Sequence, residues 1–214
     1  MKTETYGERV IEVADSEIEL RALYGPPSEI AARKCLHRLD EHCRYFIERS
    51  PFLCLSSAAA DGSAEISPRG DAPGFVRVLD DQTLFVPDRL GNNRIDSLRN
   101  LIDNPHVGLL FLIPGIDETM RVSGVARVVL RSELLDECAV GGKTPRSGLL
   151  IEVREAFLHC AKALRRSKLW AEDYRLMPDQ MPTLGQMLVD QLCLTTPVGE
   201  LNEMIDKAYR EKLY

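Results

Sequence analysis

The period of the apolar residues changes along the chain, and the changes mark out helix, then sheet, then helix again. Gly25-Pro26-Pro27 breaks a charged N-terminal arm, and Ser28 follows as a candidate N-cap. Leu36, Leu39, Cys43, Phe46 and Ile47 then recur at helical spacing, which predicts a helix over about residues 28–48. Beyond Pro51 the pattern becomes that of strands. Phe52 to Ser56 reads as a buried strand, Asp61-Gly62 as a hairpin turn and Ala64 to Ser67 as the returning strand. Gly74 to Leu79 and Thr83 to Val86 read as two more strands joined through Asp80-Asp81. Asn92 to Asp103 carries Ile95, Leu98, Leu101 and Ile102 on one face and stops at Asn104-Pro105, as a short helix does.

Val107 to Leu112 is a continuous apolar strand, and Met120 to Leu130 alternates apolar with polar, giving about six strands before residue 131. Ser132 caps a short helix through Cys138, and the glycine-rich stretch from Gly141 to Gly148 has the composition of a mobile surface loop. Leu149 to Val153 returns to the sheet, and Glu155 to Leu164 reads as helix. Two further helices follow, capped by Thr183 and by Thr196 with Pro197 at the first helical position. Met204, Ile205, Ala208 and Leu213 give the tail an apolar face that needs a partner. The whole reads as one domain over residues 1–214, with a strand-rich core at about 50–155 and a helical tail at about 155–214.

Charge narrows the range of partners. With 27 Lys and Arg against 33 Asp and Glu, the net charge of −6 argues against a nucleic-acid surface, so an anion site must be a local concentration of positive charge. No apolar run approaches the roughly 20 residues that cross a bilayer, and Met1 to Val13 has no signal-peptide pattern; the expectation is a cytoplasmic protein without membrane attachment. Six cysteines are scattered with no Cys-x-x-Cys pair, which fits reduced, mostly buried thiols and no metal site. No Gly-x-Ser-x-Gly elbow, dinucleotide fingerprint or Walker loop is present.

Two basic, glycine-containing loops are the best chemical lead. Ser67-Pro68-Arg69-Gly70-Asp71 ends one strand, and Pro87-Asp88-Arg89-Leu90-Gly91-Asn92-Asn93-Arg94 follows another. Guanidinium forks at Arg69 and Arg94, with backbone N–H groups freed by Gly and Asn, make a phosphate clamp; pairing with Asp71, Asp88 or Asp96 is the competing reading of the same arginines. Downstream, His159 and Lys162 sit three apart on the expected helix, with Trp170 close behind. They either line one pocket or serve as a core histidine, a solvated lysine and a packing tryptophan.

The order of these features, from the Asp-Gly hairpin through Arg69, the Asn-Arg loop, the short helix ending at Asn104-Pro105 and the strand opened by Arg121-Val122-Ser123-Gly124, resembles the FMN-binding split-barrel flavoproteins that include pyridoxamine 5'-phosphate oxidase. With His159-Cys160-Ala161-Lys162-Ala163 and Arg166-Ser167-Lys168-Leu169-Trp170 added, it is similar to a bacterial FMN-dependent subgroup. The resemblance implies a mainly β (α+β) fold with peripheral helices, built on a six-stranded antiparallel Greek-key split β-barrel. It also implies a homodimer holding FMN at its interface.

By resemblance Ser67, Arg69, Gly70, Asp71, Asn92, Asn93 and Arg94 belong around the phosphate and ribityl chain, with Pro87, Asp88 and Arg89 beside the chain and ring edge. Thr119 stands where the oxidases place a glutamine, and Ser167 and Trp170 join the cofactor set. His159 and Lys162 are the catalytic candidates. The implied activity is an FMN-dependent oxidoreductase passing a hydride from a small substrate to flavin N5. The alternatives are a non-catalytic FMN-binding or sensing module, or an F420-dependent reductase. The oxidases' second basic strand residue is replaced here by Gly70-Asp71, and their C-terminal Arg-His-Asp-Arg stretch has no counterpart, so pyridoxamine phosphate oxidation is not expected.

Overall fold

The computed structural model describes residues 2–214. Contacts divide the chain into two compact units, one running through Cys35 and the other from Leu36 to Tyr214. In the first, strands β1 (Lys2–Tyr6) and β2 (Arg9–Val13) form an antiparallel hairpin that turns at Gly7, whose φ of +61° suits a residue without a Cβ. Helices α1 (Glu17–Tyr24) and α2 (Glu29–Arg33) follow, capped by the Ser16 and Ser28 hydroxyls, and neither buries a residue.

The helix expected over residues 28–48 is therefore two helices. After α2 the chain leaves helical geometry so that Leu36 can exchange backbone hydrogen bonds with Ala156, while the Leu39 N–H goes to the Asp81 carbonyl. Asp40 then accepts from the Cys43 N–H and starts α3 (Glu41–Arg49), which buries Cys43, Phe46 and Ile47. The apolar spacing is helical only from Cys43 onward; Leu36 and Leu39 reach the core from outside any helix.

The second unit is built on a seven-stranded antiparallel sheet. Its strands are β3 (Phe52–Ala58), β4 (Ala64–Gly70), β5 (Arg77–Val78), β6 (Thr83–Pro87), β7 (His106–Leu112), β8 (Thr119–Val129) and β9 (Gly148–His159), in the order β4-β3-β7-β8-β9-β6-β5. The fold class is the expected mainly β one, with seven strands in place of six. Leu53, Leu55, Leu84, Phe111, Met120, Val122 and Ile151 are wholly buried in its core, and α3 and α4 (Asp96–Asp103) pack against the sheet. Of the strand expected from Gly74 to Leu79, only Arg77 and Val78 pair; Gly74, at φ +86°, turns the chain so that Phe75 and Val76 are buried from a loop.

Strand β9 corrects a second expectation, because Glu155 to Leu164 is not one helix. The strand pairs with β8 as far as Thr119↔His159. Gly124 faces Val153 and Ser123 faces Glu155, so Arg154 is an extra residue in the ladder. This bulge moves the buried positions from Leu149, Ile151 and Val153 to Ala156 and Phe157, a spacing that reads as helical. A Cβ at Gly124 would collide with the Glu152 carbonyl, so the close approach at the bulge requires glycine.

Short helices complete the unit. These are α5 (Glu133–Glu137), capped by Ser132, α6 (Lys162–Ser167), α7 (Leu184–Leu192), capped by Thr183, and α8 (Val198–Glu211), for which Pro197 rather than Thr196 is the N-cap residue. Helices α7 and α8 pack together at Gly185, whose N–H donates to the Asn202 side chain. The stretch expected as a mobile loop is tied down: Val140 and Lys143 exchange backbone bonds around Gly141-Gly142, and Pro145 and Ser147 are buried. None of the six cysteines is in a disulfide, and only Cys43 and Cys138 are buried, fewer than expected. Among the described residues, no helix is long and apolar enough to cross a membrane.

Candidate functional site

The alternation of β4 determines what the site contains. Glu65, Ser67 and Arg69 are turned inward while Ala64, Ile66, Pro68 and Gly70 are exposed, so three polar side chains face the interior from one strand. Opposite them the end of β6 delivers Pro87, followed by Asp88 and Arg89. Strands β4 and β6 are not neighbours in the sheet, and no backbone ladder joins them. Side chains bridge the gap instead: Arg69 Nη1 donates to Asp88, and Arg89 Nε donates to Asp71 at 2.5 Å. Each side of the seam thus gives one cation and one carboxylate.

The seam opens into a cavity of about 900 Å³, of the size that takes a drug-sized or cofactor-sized molecule. Ser67, Arg69, Gly70, Pro87, Asp88, Arg89, Asn92, Asn93 and Arg94 all line it, so the structure brings together nine of the ten residues predicted from the two loops. Asp71, the tenth, lies behind the wall, bonded to Arg89. The lining holds five cationic side chains, Arg69, Arg89, Arg94, Lys143 and Arg146, against the three carboxylates Glu65, Asp88 and Asp96. In a chain of net charge −6, this is the local positive excess that an anion site needs.

A buried network holds Arg69. Its Nη2 donates to the Ser97 hydroxyl at 3.4 Å, Ser97 donates to Glu65 at 2.7 Å, and Glu65 also accepts from Ser57 at 2.9 Å. Asn100 closes the set by donating to the Ser57 hydroxyl at 3.1 Å. Ser57 and Ser97 are only 5% and 2% exposed, so these bonds are shielded from water. Among the described residues, Arg69 Nε is buried with no hydrogen-bond partner, a donor normally satisfied when removed from solvent.

The loop into α4 is shaped for close approach. The Asn92 side chain accepts from the Arg94 N–H at 3.0 Å, and Asn93 and Ile95 both adopt left-handed backbone, at φ +58° and +54°. Such a conformation costs a β-branched residue about 1–3 kcal/mol and is found where a site demands it. Ile95 occupies the N-cap position of α4 without a side-chain cap, which leaves the first-turn N–H groups unserved by it. Arg94 is largely exposed and uses Nε toward Asp96 at 2.7 Å, which holds its pKa above the ordinary arginine value. The competing reading of the arginines thus holds in part: both line the cavity, and both already pair with a carboxylate.

The other predicted residues lie elsewhere. His159 ends β9 and faces Thr119 across the ladder, its ring 4.8 Å from that of Phe157. Lys162 opens α6, so the two do not share a helix. Ser167 bonds back to the Leu164 carbonyl, and Trp170 donates to the Ile116 carbonyl at 2.9 Å. None of these five residues lines the cavity.

Several lining residues carried no sequence signal that singled them out. Glu65 and Ser97 looked like ordinary strand and helix positions, and Lys143 to Arg146 like loop. Tyr214 is the furthest in sequence. Its hydroxyl donates to Asp71 at 2.7 Å, and Lys143 Nζ donates to its backbone oxygen at 2.9 Å. Burial alone would raise the Asp71 pKa, but the hydrogen bonds from Tyr214, the Ala72 N–H and Arg89, with the charge of Arg89, hold it below the usual carboxylate range.

Residues 39–160, more than half of the chain, match the Pyridoxamine 5'-phosphate oxidase family. The chain belongs to this family. The matched segment contains α3, the entire seven-stranded sheet and every cavity residue except Tyr214. Among curated proteins nothing matches. Solved structures that resemble this family member include HupZ of Group A Streptococcus, at 18% identity and a TM-score of 0.45, covering 56% of this chain and 93% of that one. An FMN-binding protein from Syntrophomonas wolfei follows at 14% identity and 0.41, covering 55% and 88%. An F420 reductase stands at 16% and 0.42, covering 56% and 98%.

Proposed function

We propose that the cavity between β4, β6 and α4 holds FMN and that the protein is an FMN-dependent oxidoreductase acting on a small substrate. The observation that carries this reading is the cavity wall: five cationic side chains against three carboxylates, with the Arg69 guanidinium anchored there through Asp88 and Ser97. An ester phosphate is an anion that such a positive excess accepts. Arg94, whose terminal nitrogens make no hydrogen bond within the described chain, would hold the same group from the other loop, with Asn92 and Asn93 shaping the backbone between them. Family membership favours the same assignment.

When bound, FMN supplies two-electron redox chemistry at its isoalloxazine ring. The chain's own part is to bind and orient. Phe75, Pro87 and Pro145 provide apolar wall that excludes water, and Arg89, near the start of the second basic loop, offers a further hydrogen-bond donor. Pyridoxamine phosphate is disfavoured as substrate by Asp71, which stands where the oxidases carry a basic residue.

The proposal includes a homodimer. Thr119, His159, Lys162, Ser167 and Trp170 lie off the cavity of their own chain, and a second copy is the route by which they would reach a flavin. Cytoplasmic placement belongs to the same reading. Purified protein titrated with FMN should show the red-shifted, structured absorbance of bound flavin, and Arg69→Ala with Arg94→Ala should abolish it while circular dichroism stays native. Full occupancy in that double variant refutes the site; no uptake by wild type refutes the cofactor.

A further inference from the structure

Resting on the flavin reading of the cavity, we infer that Tyr214 is a positioning residue for the pocket, orienting the Arg89 guanidinium through Asp71 so that its remaining nitrogen is presented to the ligand. Three segments far apart in sequence meet at this point. Asp71 follows β4, Arg89 follows β6, and Tyr214 comes after α8. The Asp71 side chain is 3% exposed and that of Arg89 is 17% exposed, so both are fixed largely out of solvent.

The arrangement is a relay with one open end. Arg89 spends Nε on Asp71 at 2.5 Å and Nη1 on the Cys138 carbonyl at 2.7 Å. Its Nη2 makes no hydrogen bond among the described residues, and the residue lines the cavity. Asp71 is aimed in turn: one oxygen accepts from the Tyr214 hydroxyl at 2.7 Å and from the Ala72 N–H at 2.7 Å, which leaves the other for Arg89. The Tyr214 ring lies with the Arg89 guanidinium carbon 5.6 Å from its centroid, and Lys143 ties down its backbone. A donor held by bonds on two of its three nitrogens keeps its direction and loses little freedom when it binds.

We assign Arg89 Nη2 an acceptor oxygen other than the phosphate, because the unspent terminal nitrogens of Arg94 at the far end of the same loop are the donors left for that group. That distinction makes the inference testable with two flavins. Tyr214→Phe removes the hydroxyl and keeps the ring, and Asp71→Asn removes the charge that holds Arg89. Each should weaken FMN and riboflavin by the same factor, about 3- to 10-fold for the loss of one hydrogen bond, leaving the preference between them unchanged. Tyr214→Phe added to Asp71→Asn should weaken binding no further, since both act through one contact.

A second arm needs no flavin. Phenylglyoxal labelling of Arg89, read by peptide mass spectrometry against the exposed Arg33, should accelerate about 3-fold or more in each variant as the guanidinium is released. Melting curves report whether the variants are folded. An unchanged Arg89 labelling rate in Tyr214→Phe overturns the relay, as do multiplicative effects of the two substitutions. Normal flavin affinity in Tyr214→Phe, with wild type binding FMN, overturns its service to the ligand. If wild type takes up no FMN, the function proposed above falls, and the labelling arm still decides whether Tyr214 positions Arg89.

Discussion

Replacing Ser97 with alanine tests the network that holds Arg69 without touching the cavity charge. The hydroxyl is 2% exposed and donates to the Glu65 carboxylate at 2.7 Å. A shielded hydrogen bond to a charged partner is worth about 1.5–3 kcal/mol. The second bond, from Arg69 at 3.4 Å, is at the limit of useful geometry and adds little. Alanine is the better helix former in the first turn of α4, which returns about 0.5 kcal/mol. The net loss is about 1–2.5 kcal/mol, and in a chain of this size each kcal/mol lowers Tm by about 2–4 °C. Thermal and urea unfolding without added flavin should therefore show a drop of about 2–10 °C with an unchanged urea slope. Glu65→Gln supplies the control, because it keeps an acceptor and removes the charge. In that background Ser97→Ala should cost only about 0–1 kcal/mol, the worth of a neutral bond less the same helix-propensity return. A Tm within about 1 °C of wild type, or equal cost of Ser97→Ala in both backgrounds, would refute the claim that the bond from this serine to the Glu65 side chain holds the network together.

Two further outcomes follow from the titrating groups. Because the folded-state pKa of Asp71 is depressed, its contribution to stability is present above the unfolded value of about 3.9 and is lost as pH falls through the folded value. Asp71→Asn should thus be less stable at pH 7 and lose less stability on acidification than wild type; parallel stability curves from urea titrations between about pH 3 and 7 would contradict this. Thiol reactivity should sort by burial. Cys160 and Cys193 are exposed and should label first with Ellman's reagent, whereas Cys43, pushed by burial to a pKa of about 11, and Cys138, also raised by burial, should wait for denaturant; rapid native labelling of Cys43 in peptide maps would contradict it.

Much of the sheet was legible because local rules and tertiary packing agree there. Asp61-Gly62 between two apolar runs gives the β3–β4 hairpin, and the alternation in β8 survives as buried and exposed faces. Legibility failed where a long-range bond overrode spacing. Leu36 left a helical register to pair with Ala156, and the bulge at Arg154 disguised the end of β9 as helix. The two basic loops could be paired from the sequence because Arg, Gly and Asn carry chemistry at turn positions. The carboxylates that occupy those arginines were visible as possibilities, but which arginine takes which depends on β4 meeting β6, two strands with no shared ladder. Tyr214 offered no pattern, since its role exists only once α8 has brought the chain back to Lys143 and Asp71.

The seam of Arg69, Asp88, Arg89 and Asp71 has a consequence for how one scaffold serves different ligands. A sheet edge closed by amides widens only by unzipping, whereas ion pairs can be exchanged singly. The entrance can therefore change in bore and polarity through four codons, with every strand register left in place. The four side chains are between 3% and 24% exposed, so dissolved electrolyte screens them only weakly and the closure holds across a wide range of ionic strength.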